Sequence, residues 1–455
     1  MNATEADLVI VGSGPAGMAA ACEARTLGLS VVLLDEQATI GGQIYRNIES
    51  APVDRVEILG QDYVAGRSLA MDFRSSGAGY LGGAVVWNVS LDGTVDYVAG
   101  GHSQQLVGKN VLLASGAMER PFPIRGWTLP GVMGAGAAQI LLKGSGALPT
   151  APVVLAGCGP LLYLLAWQFL RAGAKIEALV DTTEKSAYLR AARHGVGALR
   201  GWKELTKGLK LLSTLRRHGV RVYSGSHGLA VEGETRAEAI SFTHRGRSVR
   251  IPASLVLLHQ GVVPNTQLTW STGAAHHWDS EQLCWCPVTD PSGRLGETPI
   301  YVAGDSRGIV GAQASAVQGR LAALAIGDRL GITTNVGRRA ELQSQLQRYT
   351  YIRPFLNALY RPADENRVPQ DPSVVVCRCE EVTAGQIRRY VELGCLGPNQ
   401  TKAFGRCGMG PCQGRFCGLT VTEIIAQARG TAPEDVGYYR IRPPVKPVLL
   451  GDFLP

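Results

Sequence analysis

The sequence predicts an α/β protein with two dinucleotide-binding folds and a small cysteine-rich module near its C-terminus. Two βαβ units with glycine-rich turns, at residues 7–36 and 152–181, predict the two folds, because such turns bring a helix N-terminus to a phosphate. Two pairs of closely spaced cysteines between residues 377 and 412 predict the module. With 455 residues, the chain is long enough for two or three domains.

The composition argues against several classes of protein. Hydrophobic residues make up 45% and charged residues 18%, which is typical of a globular chain. The net charge is +8, but no basic run is interleaved with aromatic residues, so nucleic-acid binding is not expected. The densest basic stretch, Arg190 to Arg217, fits an acidic partner, an anionic small molecule or a solvated helix face. Neither a long apolar run nor a cationic leader is found, so we expect a cytoplasmic chain without a membrane span.

The first βαβ unit has each part that a bound dinucleotide needs. Gly12 permits a sharp turn, Gly14 lets backbone N–H groups approach a pyrophosphate, and Gly17 lets helix and strand pack closely. Asp35 follows the second strand, at the distance where an acid accepts hydrogen bonds from ribose hydroxyls. The predicted elements are the strand Asp7–Val11, the helix Met18–Leu27 and the strand Val31–Leu34.

Three later segments indicate which nucleotide binds. They are the turn Gly41 to Tyr45, the strand and small-residue turn Val111 to Gly116, and the strand Thr298 to Asp305 before a helix at Ala312–Leu330. Together with the first unit they resemble the FAD domain of the two-dinucleotide-binding flavoproteins. In that family the aspartate that matches Asp305 binds the ribityl chain, whereas taken alone Asp305 could be a helix N-cap. The resemblance implies an FAD site at Gly12, Gly14, Pro15, Ala16, Gly17, Asp35, Glu36, Gly42, Gln43, Ser115, Gly116, Gly304 and Asp305.

The second βαβ unit lacks one glycine. In the resembled family this inserted domain binds NAD(P)H, but Leu162 replaces the third glycine here, so helix and strand cannot approach as closely. The sequence leaves two alternatives for this domain: a working NAD(P)H site, or a fold that is retained without tight cofactor binding. Its predicted parts are the strand Val153–Ala156, the turn Gly157–Leu162, the helix Leu161–Ala172 and the strand Lys175–Val180, followed by Asp181.

Disulfide reduction is disfavoured. The disulfide reductases of this superfamily need a redox Cys-x-x-Cys beside the flavin, and the sequence contains no such pair. Cys284 and Cys286 are separated by one residue, which would make a strained disulfide, so we expect buried thiols there.

The late cysteines form the pattern C-x-C, a 27-residue spacer, and C-x4-C. Short spacings and glycine-rich loops let thiolates converge and free backbone N–H groups for hydrogen bonds to cluster sulfur, which favours a [2Fe–2S] site. Four cysteines also make structural zinc sites, although these favour C-x2-C knuckles, and unliganded thiols are the third alternative. The predicted ligands are Cys377, Cys379, Cys407 and Cys412. Cys395 and Cys417 are expected to be spectators, with Cys417 the better substitute ligand.

The module, with its helix at Ala384–Leu393, resembles the bacterioferritin-associated-ferredoxin-like [2Fe–2S] domain. Four connecting segments extend the resemblance over nearly the whole chain. They are Gly42–Arg46, Glu119–Pro123, Gly126–Val132 and Arg406–Gly414. The chain is similar to the larger flavin subunit, called alpha or A, of opine oxidases, D-hydroxyproline dehydrogenase and hydrogen cyanide synthase. The alpha subunit of heterotetrameric sarcosine oxidase is a more distant relative.

The resemblance implies a flavin and iron–sulfur electron-transfer subunit of a hetero-oligomeric amino-acid or imino-acid (secondary amine) dehydrogenase. In such enzymes a beta subunit with its own FAD and the substrate site removes hydride from the carbon next to nitrogen. The resemblance also implies the cluster, an FMN at a subunit interface and a small additional subunit. The alternatives are a self-sufficient NAD(P)H-dependent flavoprotein reductase and a non-catalytic nucleotide-binding scaffold with a conducting cluster. No catalytic residue is identified, because His259 and the pair His276-His277 have no evident partner in the sequence.

The predicted domains follow from these motifs. Residues 1–120 and 285–335 form the FAD-binding domain, and residues 121–284 form the inserted second nucleotide-binding domain. A proline-containing linker at 336–372 leads to the [2Fe–2S] domain at 373–430 and an extended tail at 431–455. Such a tail can lie across a partner subunit, and a disordered end is the alternative.

Overall fold

The computed structural model describes residues 4–453, and the chain divides into two compact units. Unit 1 comprises residues 4–118, 263–351 and 440–453 of the described chain, and unit 2 comprises residues 119–262 and 352–439. Within residues 4–453, no helix is both long and apolar enough to cross a membrane.

The strands and helices are numbered in chain order. The strands are β1 (Thr4–Val11), β2 (Val31–Asp35), β3 (Gly79–Gly82), β4 (Val85–Val89), β5 (Thr94–Ala99), β6 (His102–Leu113), β7 (Ala117–Glu119), β8 (Val132–Gly134), β9 (Val153–Cys158), β10 (Ile176–Asp181), β11 (Arg221–Ser224), β12 (His227–Glu232), β13 (Ala239–His244), β14 (Arg247–Pro252), β15 (Val256–Gln260), β16 (Val262–Pro264), β17 (His276–Asp279), β18 (Cys284–Pro287), β19 (Ile300–Val302), β20 (Val375–Cys377) and β21 (Val382–Thr383). The helices are α1 (Pro15–Thr26), α2 (Val53–Leu59), α3 (Gln61–Val64), α4 (Gly66–Ser75), α5 (Ala135–Ser145), α6 (Pro160–Arg171), α7 (Lys185–Ala192), α8 (Gly195–Arg200), α9 (Trp202–Arg217), α10 (Gln267–Ser271), α11 (Ala312–Arg329), α12 (Val336–Thr350), α13 (Arg353–Leu359), α14 (Asp364–Arg367), α15 (Ala384–Glu392), α16 (Pro398–Gly405), α17 (Gly418–Arg429) and α18 (Pro433–Val436). Short 3₁₀ turns cover Gly304–Ser306 and Leu450–Phe453.

Unit 1 is built on a twisted sheet with the strand order β3-β2-β1-β6-β5-β4, and β19 also pairs with β6. Strands β3, β2, β1, β6 and β19 are parallel to one another, whereas β5 and β4 continue the sheet in antiparallel fashion. Val11 pairs with both Leu34 and Leu113, so β1, β2 and β6 end at the same edge. In open parallel sheets, ligands bind outside this carboxyl edge.

Unit 2 contains a second parallel sheet, in the order β11-β10-β9-β15-β8, and a three-stranded antiparallel sheet β12-β13-β14. Strands β9 and β10 are apolar along nearly their whole length, as expected for strands covered on both faces. One core joins the two sheets and includes Val154, Ala178, Ile240 and Val256, each fully buried. The two parallel sheets and their helices confirm the predicted α/β class.

The cysteine module lies in unit 2 and is made of the β20–β21 hairpin and helices α15 to α18. Helix α15 begins with a capping box, in which the Thr383 hydroxyl accepts from the Gln386 amide and the Gln386 side chain accepts from the Thr383 amide. Helices α15 and α17 pack against each other. The charged pair Arg367–Glu423, buried on both sides, joins α14 to α17.

The compact units divide the chain differently from the predicted domains. Residues 263–284 belong to unit 1, where α10 packs against β4 and β17 pairs with β18. The segment 336–372, which its prolines predicted to be a surface linker, forms α12, α13 and α14. Leu342 of α12 is fully buried against Val317 and Leu324 of α11, so this segment is part of the packed structure. Residues 440–453 of the predicted tail belong to unit 1.

Candidate functional site

The glycine-rich loop of unit 1 connects β1 to α1 through close backbone packing. Gly12 has a φ of +108°, and a Cβ there would lie 2.4 Å from the carbonyl oxygen of Ala114. A Cβ on Gly17 would lie 1.9 Å from the carbonyl oxygen of Gly12. Real Cβ atoms do not approach backbone oxygens so closely, so these two positions require glycine for the fold itself.

Gly14 is different, because the space in front of it is open. It has an ordinary φ of −70°, and a Cβ there would meet no heavy atom within 4 Å. Gly14 is the N-cap of α1 and Pro15 opens the helix, yet no side chain caps the helix N-terminus. An uncapped helix N-terminus behind an open glycine fits the pyrophosphate of a dinucleotide.

Asp35 stands at the carboxyl end of β2 and faces this loop. Its Oδ2 accepts hydrogen bonds from the Ser13 amide at 2.7 Å and the Ser13 hydroxyl at 2.8 Å, and its Oδ1 accepts from the Gln37 amide at 2.8 Å. These bonds fix the carboxylate beside the glycine loop, where a ribose would lie. The neighbouring Glu36 forms an ion pair with Lys446 instead.

A second turn, at Gly41 and Gly42, rests on the first. The Gly41 amide donates to the Ser13 carbonyl at 3.0 Å, and a Cβ on Gly42 would lie 2.8 Å from the Cα of Gly14. Gly42 has a φ of +59°. The exposed side chain of Gln43 accepts a hydrogen bond from Arg46 at 2.9 Å.

Asp305 organises the loop before α11. Its Oδ1 accepts from the amides of Val310 at 2.8 Å and Gly311 at 2.9 Å. The N-cap of α11 is Gly311, without a side-chain cap, so Asp305 is not an N-cap and the helix N-terminus is available to a ligand. A Cβ on Gly319 of α11 would lie 2.0 Å from the carbonyl oxygen of Ala16, which shows how closely α11 crosses α1.

The remaining predicted residues lie at the same edge of the sheet. Ser115 donates through its hydroxyl to the Asn265 carbonyl, and the Gly116 carbonyl accepts from the Asn265 amide, both at 2.9 Å. The Gly304 amide donates to the Gln318 side chain at 2.9 Å. Sequence reasoning missed Ser13, Asn265 and Gln318, because each acts through a contact with a residue distant in sequence.

The second parallel sheet has an acid in the equivalent place, but that acid is enclosed. Asp181 is 1% exposed and its Oδ2 accepts from the Tyr163 hydroxyl at 2.8 Å. Burial raises the pKa of Asp181 above its usual value. Tyr163 belongs to α6, whose Leu162 is fully buried at the position of the missing glycine. Cys158, the last residue of β9, contacts the carbonyl oxygen of Tyr360 through its Sγ at 3.6 Å.

A histidine–carboxylate pair lies beside this second turn. Nδ1 of His259 is 2.7 Å from Oε1 of Glu119, and His259 is 2% exposed. The same carboxylate accepts from the Gly136 amide at the start of α5. The sequence offered no sign of the partner, because Glu119 is 140 residues away from His259. The buried thiols expected at Cys284 and Cys286 are found, at 1% and 3% exposure.

Five cysteines of the module converge in two groups. The Sγ atoms of Cys377, Cys407 and Cys417 all lie within 4.8 Å of one another. The Sγ atoms of Cys379 and Cys412 are 3.8 Å apart. Hydrogen bonds from the Cys407 and Cys417 thiols hold the pKa of Cys377 far below its usual value. The four predicted ligands are therefore accompanied by Cys417, which was expected to be a spectator.

The loops that carry the cysteines are held by glycines and by one ion pair. A Cβ on Gly410 would lie 2.1 Å from the Cβ of Cys379, so glycine lets the two cysteine loops meet. Arg406 and Glu380 pair at 3.0 Å between the same loops. The hydroxyl of Tyr439, which is fully buried, donates to Sγ of Cys407 at 3.3 Å.

Within unit 2, the module is anchored through Trp127. Its indole Nε1 donates to the Val375 carbonyl at 2.7 Å, and the guanidinium of Arg378 lies 5.3 Å from the ring centre. Trp127 belongs to Gly126–Val132, one of the four segments on which the family resemblance rests. Its role in the structure is to hold the β20–β21 hairpin.

Comparison with known proteins agrees with this architecture. Residues 6–319 match the family of pyridine nucleotide-disulphide oxidoreductases, and residues 373–453 match the sarcosine oxidase A3 domain. The opine oxidase A subunit of Rhizobium meliloti is 47% identical over 98% of this chain and 86% of its own length. Hydrogen cyanide synthase subunit HcnB of Pseudomonas aeruginosa is 32% identical over 98% of this chain and 97% of its own length. Among solved structures, the L-proline dehydrogenase from P. horikoshii shares the fold, with a TM-score of 0.74 at 19% identity over 99% of this chain and 80% of that one.

These matches confirm the family inferred from the sequence and the flavoprotein fold of unit 1, and the oxidoreductase family indicates FAD as the cofactor there. The A3 match runs past the predicted [2Fe–2S] domain boundary at residue 430 and includes the described part of the tail. The chain therefore belongs to the family of flavin-dependent oxidoreductases that includes the A subunits of opine oxidases.

Proposed function

We propose that this chain is the electron-transferring subunit of a hetero-oligomeric dehydrogenase that oxidises a secondary amine, such as an opine or an imino acid. It would hold FAD in unit 1 and a [2Fe–2S] cluster in unit 2, and a beta subunit with its own FAD would hold the substrate. The observation that carries the proposal is the presence, in one module, of a group of three thiols and a group of two, in a chain whose first nucleotide fold has the glycine turn of a dinucleotide site. When bound, the two groups supply one- and two-electron transfer.

The names of the relatives support a division of labour. Two of them are named as subunits, of opine oxidase and of hydrogen cyanide synthase, and the A3 domain is named after sarcosine oxidase. A protein described as a subunit works with other chains, so we place the substrate pocket on a partner. An FMN at the subunit interface belongs to this proposal, as does a small additional subunit.

The residues of unit 1 have distinct roles toward FAD. The helix N-terminus behind Gly14 would bind the pyrophosphate, and Asp35 would accept from the ribose. Asp305 holds the loop that directs the N-terminus of α11 toward the flavin. Gly42 and Gly116 have φ values of +59° and +68° and let the backbone approach the cofactor.

The cluster ligands are proposed from the same five thiols. Cys377, Cys379 and Cys412 supply three, and Cys407 is the predicted fourth. Cys417 also lies within 4.8 Å of Cys377 and competes for that position. Four thiolates suit either iron–sulfur or zinc chemistry, and a flavin domain in the same chain favours the electron carrier.

The second nucleotide fold supports electron entry from a partner rather than from NAD(P)H. The acid that would hold a nicotinamide dinucleotide through its ribose is Asp181, and it already accepts from Tyr163 and from the Thr183 amide. A ribose at this place would have to displace the Tyr163 hydroxyl from a buried carboxylate.

The function is tested on the anaerobically purified chain, alone and with its beta subunit. We expect about two irons and one FAD per chain, little zinc, and a reduced EPR signal of a [2Fe–2S] cluster. Amine-dependent reduction of an artificial electron acceptor is expected only when the beta subunit is present. Rapid bleaching of the flavin by NADPH in the isolated chain would instead establish a self-sufficient reductase, and zinc in place of iron would contradict the electron-transfer role.

Replacing Tyr439 with phenylalanine is expected to make the midpoint potential of the cluster more negative. The change removes the hydroxyl that lies 3.3 Å from Cys407 and 4.0 Å from Cys417, but it keeps the ring that packs on Gly408 and Gly414. Hydrogen bonds to cysteine sulfur favour the reduced cluster, and losing about 1 kcal/mol of that preference shifts a one-electron potential by about 40 mV.

The shift is measured by an EPR-monitored redox titration. Tyr390→Phe is the matched control, because the Tyr390 hydroxyl lies beside Gly405 in the same module, whereas the hydrogen bond to Sγ of Cys407 comes from Tyr439. Unchanged potentials in both variants at full iron content would contradict a tuning role for Tyr439.

A further inference from the structure

Nearly all the net charge of the chain resides in one segment of unit 2. Residues 184–217 contain nine Lys and Arg and two Glu, a net charge of +7, whereas the whole chain has +8. The segment forms α7, α8 and α9, which follow β10 in the second nucleotide fold. Seven of the nine cationic side chains are exposed. The positive charge is therefore a localised surface feature, and the other residues are almost neutral in sum.

The same segment exposes large apolar side chains. Leu189 is 76% exposed, Val196 69%, Leu199 73%, Trp202 57% and Leu209 66%. Single exposed apolar residues are common on protein surfaces, but five within 21 residues are more than is usual for one segment of a solvated surface. We call residues 184–217 the basic–apolar face.

Helix α9 shows how charge and apolar groups are arranged. Its buried residues, Leu211 and Leu215, are on the inner side, where α9 packs against α6. Trp202 and Leu209 are seven residues apart and therefore lie on one line along the exposed side. Lys203, Lys210 and Arg217 repeat the same spacing on a second line, about 100° further around the helix, and are all exposed.

Helices α7 and α8 continue the arrangement. Each turns alanines inward, at Ala187, Ala191 and Ala198, and presents its large apolar residues to solvent. Three of the four alanines in these helices are buried while Leu189, Val196 and Leu199 are exposed, which is the reverse of what packing within the chain alone would favour.

We propose that the basic–apolar face binds the surface of a membrane that contains anionic lipids. Helices of this type lie in the interface with apolar side chains in the acyl boundary and Lys and Arg at the headgroups, and a tryptophan suits the same depth. The long stems of the cations extend along the apolar region while their charges reach the phosphates. The complementary charge of an anionic leaflet would attract a patch of +7 from solution.

A lipid surface fits this face better than a protein partner does. Lysine is depleted at protein–protein interfaces, whereas four of the nine cations here are lysines. The apolar residues are also spread over three helices, each flanked by cations, so they do not form a continuous apolar centre. A fluid lipid bilayer adapts to such a distribution of apolar side chains. A protein–protein interface instead derives most of its binding free energy from a packed centre. The inference is independent of the proposed electron-transfer function, because it concerns other residues.

The test is co-sedimentation of the flavin-loaded full chain with vesicles of phosphatidylcholine alone or with about one-third phosphatidylglycerol. We expect binding to the anionic vesicles only, weakened by salt. Removing three charges in Lys203→Gln/Lys210→Gln/Arg217→Gln is expected to weaken binding about 100-fold. Leu199→Gln/Trp202→Gln is expected to weaken it at least about 10-fold.

Two exposed apolar residues of unit 1 provide the matched control. Val53 is 72% and Val336 80% exposed, and Val53→Gln/Val336→Gln is expected to bind vesicles like the wild type. Far-UV circular dichroism and FAD content verify that every variant is folded. Failure of the wild type to bind anionic vesicles at low salt, or equal binding by all variants, would overturn the proposal. A third result would also overturn the proposal and assign the face to protein docking. In that case the wild type does not bind vesicles, and the charge variant loses a complex that the wild type forms with an acidic partner chain.

Discussion

The Gly14→Ala variant is expected to fold normally and to lose most of its FAD. Gly14 has a φ that alanine adopts freely, and its added Cβ would meet no heavy atom of the protein within 4 Å. The new methyl group would instead occupy the space that the pyrophosphate needs. Overpacking of this kind costs about 1–3 kcal/mol, so FAD binding should weaken by about 10- to 100-fold. The measurement is the FAD content and affinity of the reconstituted apoprotein, with its thermal unfolding recorded without FAD.

Two other glycines serve as contrasts for this prediction. Gly17→Ala places a Cβ 1.9 Å from a backbone oxygen, so it should lower the unfolding temperature of the apoprotein itself. Gly208→Ala, in helix α9, has open space like Gly14 but no role toward FAD, so it should leave FAD content unchanged. If Gly14→Ala retains full FAD affinity, the pyrophosphate does not lie against this turn.

The backbone of the candidate FAD site was largely predictable because its steric demands are local. The spacing from Gly12 to Gly17 and on to Asp35 fits a strand, a turn, a helix and a second strand, and the structure has each of them. What the sequence did not reveal is how that site is braced. Asn265 supports the turn at Ser115 from 150 residues away, and no periodicity or motif marks such a contact.

The segment 336–372 illustrates a different limit. Its prolines indicated a linker, but the helix signals were also present. Asn335 caps α12 by accepting from the Arg338 amide at 3.1 Å, and Pro354 sits in the first turn of α13. A proline that opens a helix and a proline that breaks one look alike without the structure. Because Leu342 is fully buried against α11, α12 is a packed helix and not a surface linker.

The choice of cluster ligands could not be made from spacing, because the pattern is degenerate. Cys407 and Cys412 form one C-x4-C pair, and Cys412 and Cys417 form another. Which thiol meets Cys377 depends on the path of the loop, where Gly408 and Gly414 have φ values of +80° and +77°. The structure brings both Cys407 and Cys417 to Cys377, so substitution is the way to separate them.

Cys377→Ser is expected to abolish the cluster, because Cys377 is the thiol that both Cys407 and Cys417 adjoin. Iron should fall from about two per chain to a background level, and the EPR signal of the reduced protein should disappear. The FAD content should stay near one per chain, since the predicted flavin residues all belong to unit 1. That internal readout separates loss of the cluster from loss of the fold.

Cys395→Ser is the matched control for this change. Cys395 is as buried as Cys377 and lies in the same module, but its Sγ contacts the Gly397 carbonyl at 3.3 Å and it is not part of either thiol group. It should therefore keep its iron. Comparing Cys407→Ser with Cys417→Ser then identifies the fourth ligand, because only the variant that lacks the ligand should lose the native spectrum. Full iron and an unchanged spectrum in Cys377→Ser would mean that the buried thiols do not hold the cluster, and the site would have to be sought at Cys379 and Cys412 with ligands from outside this group.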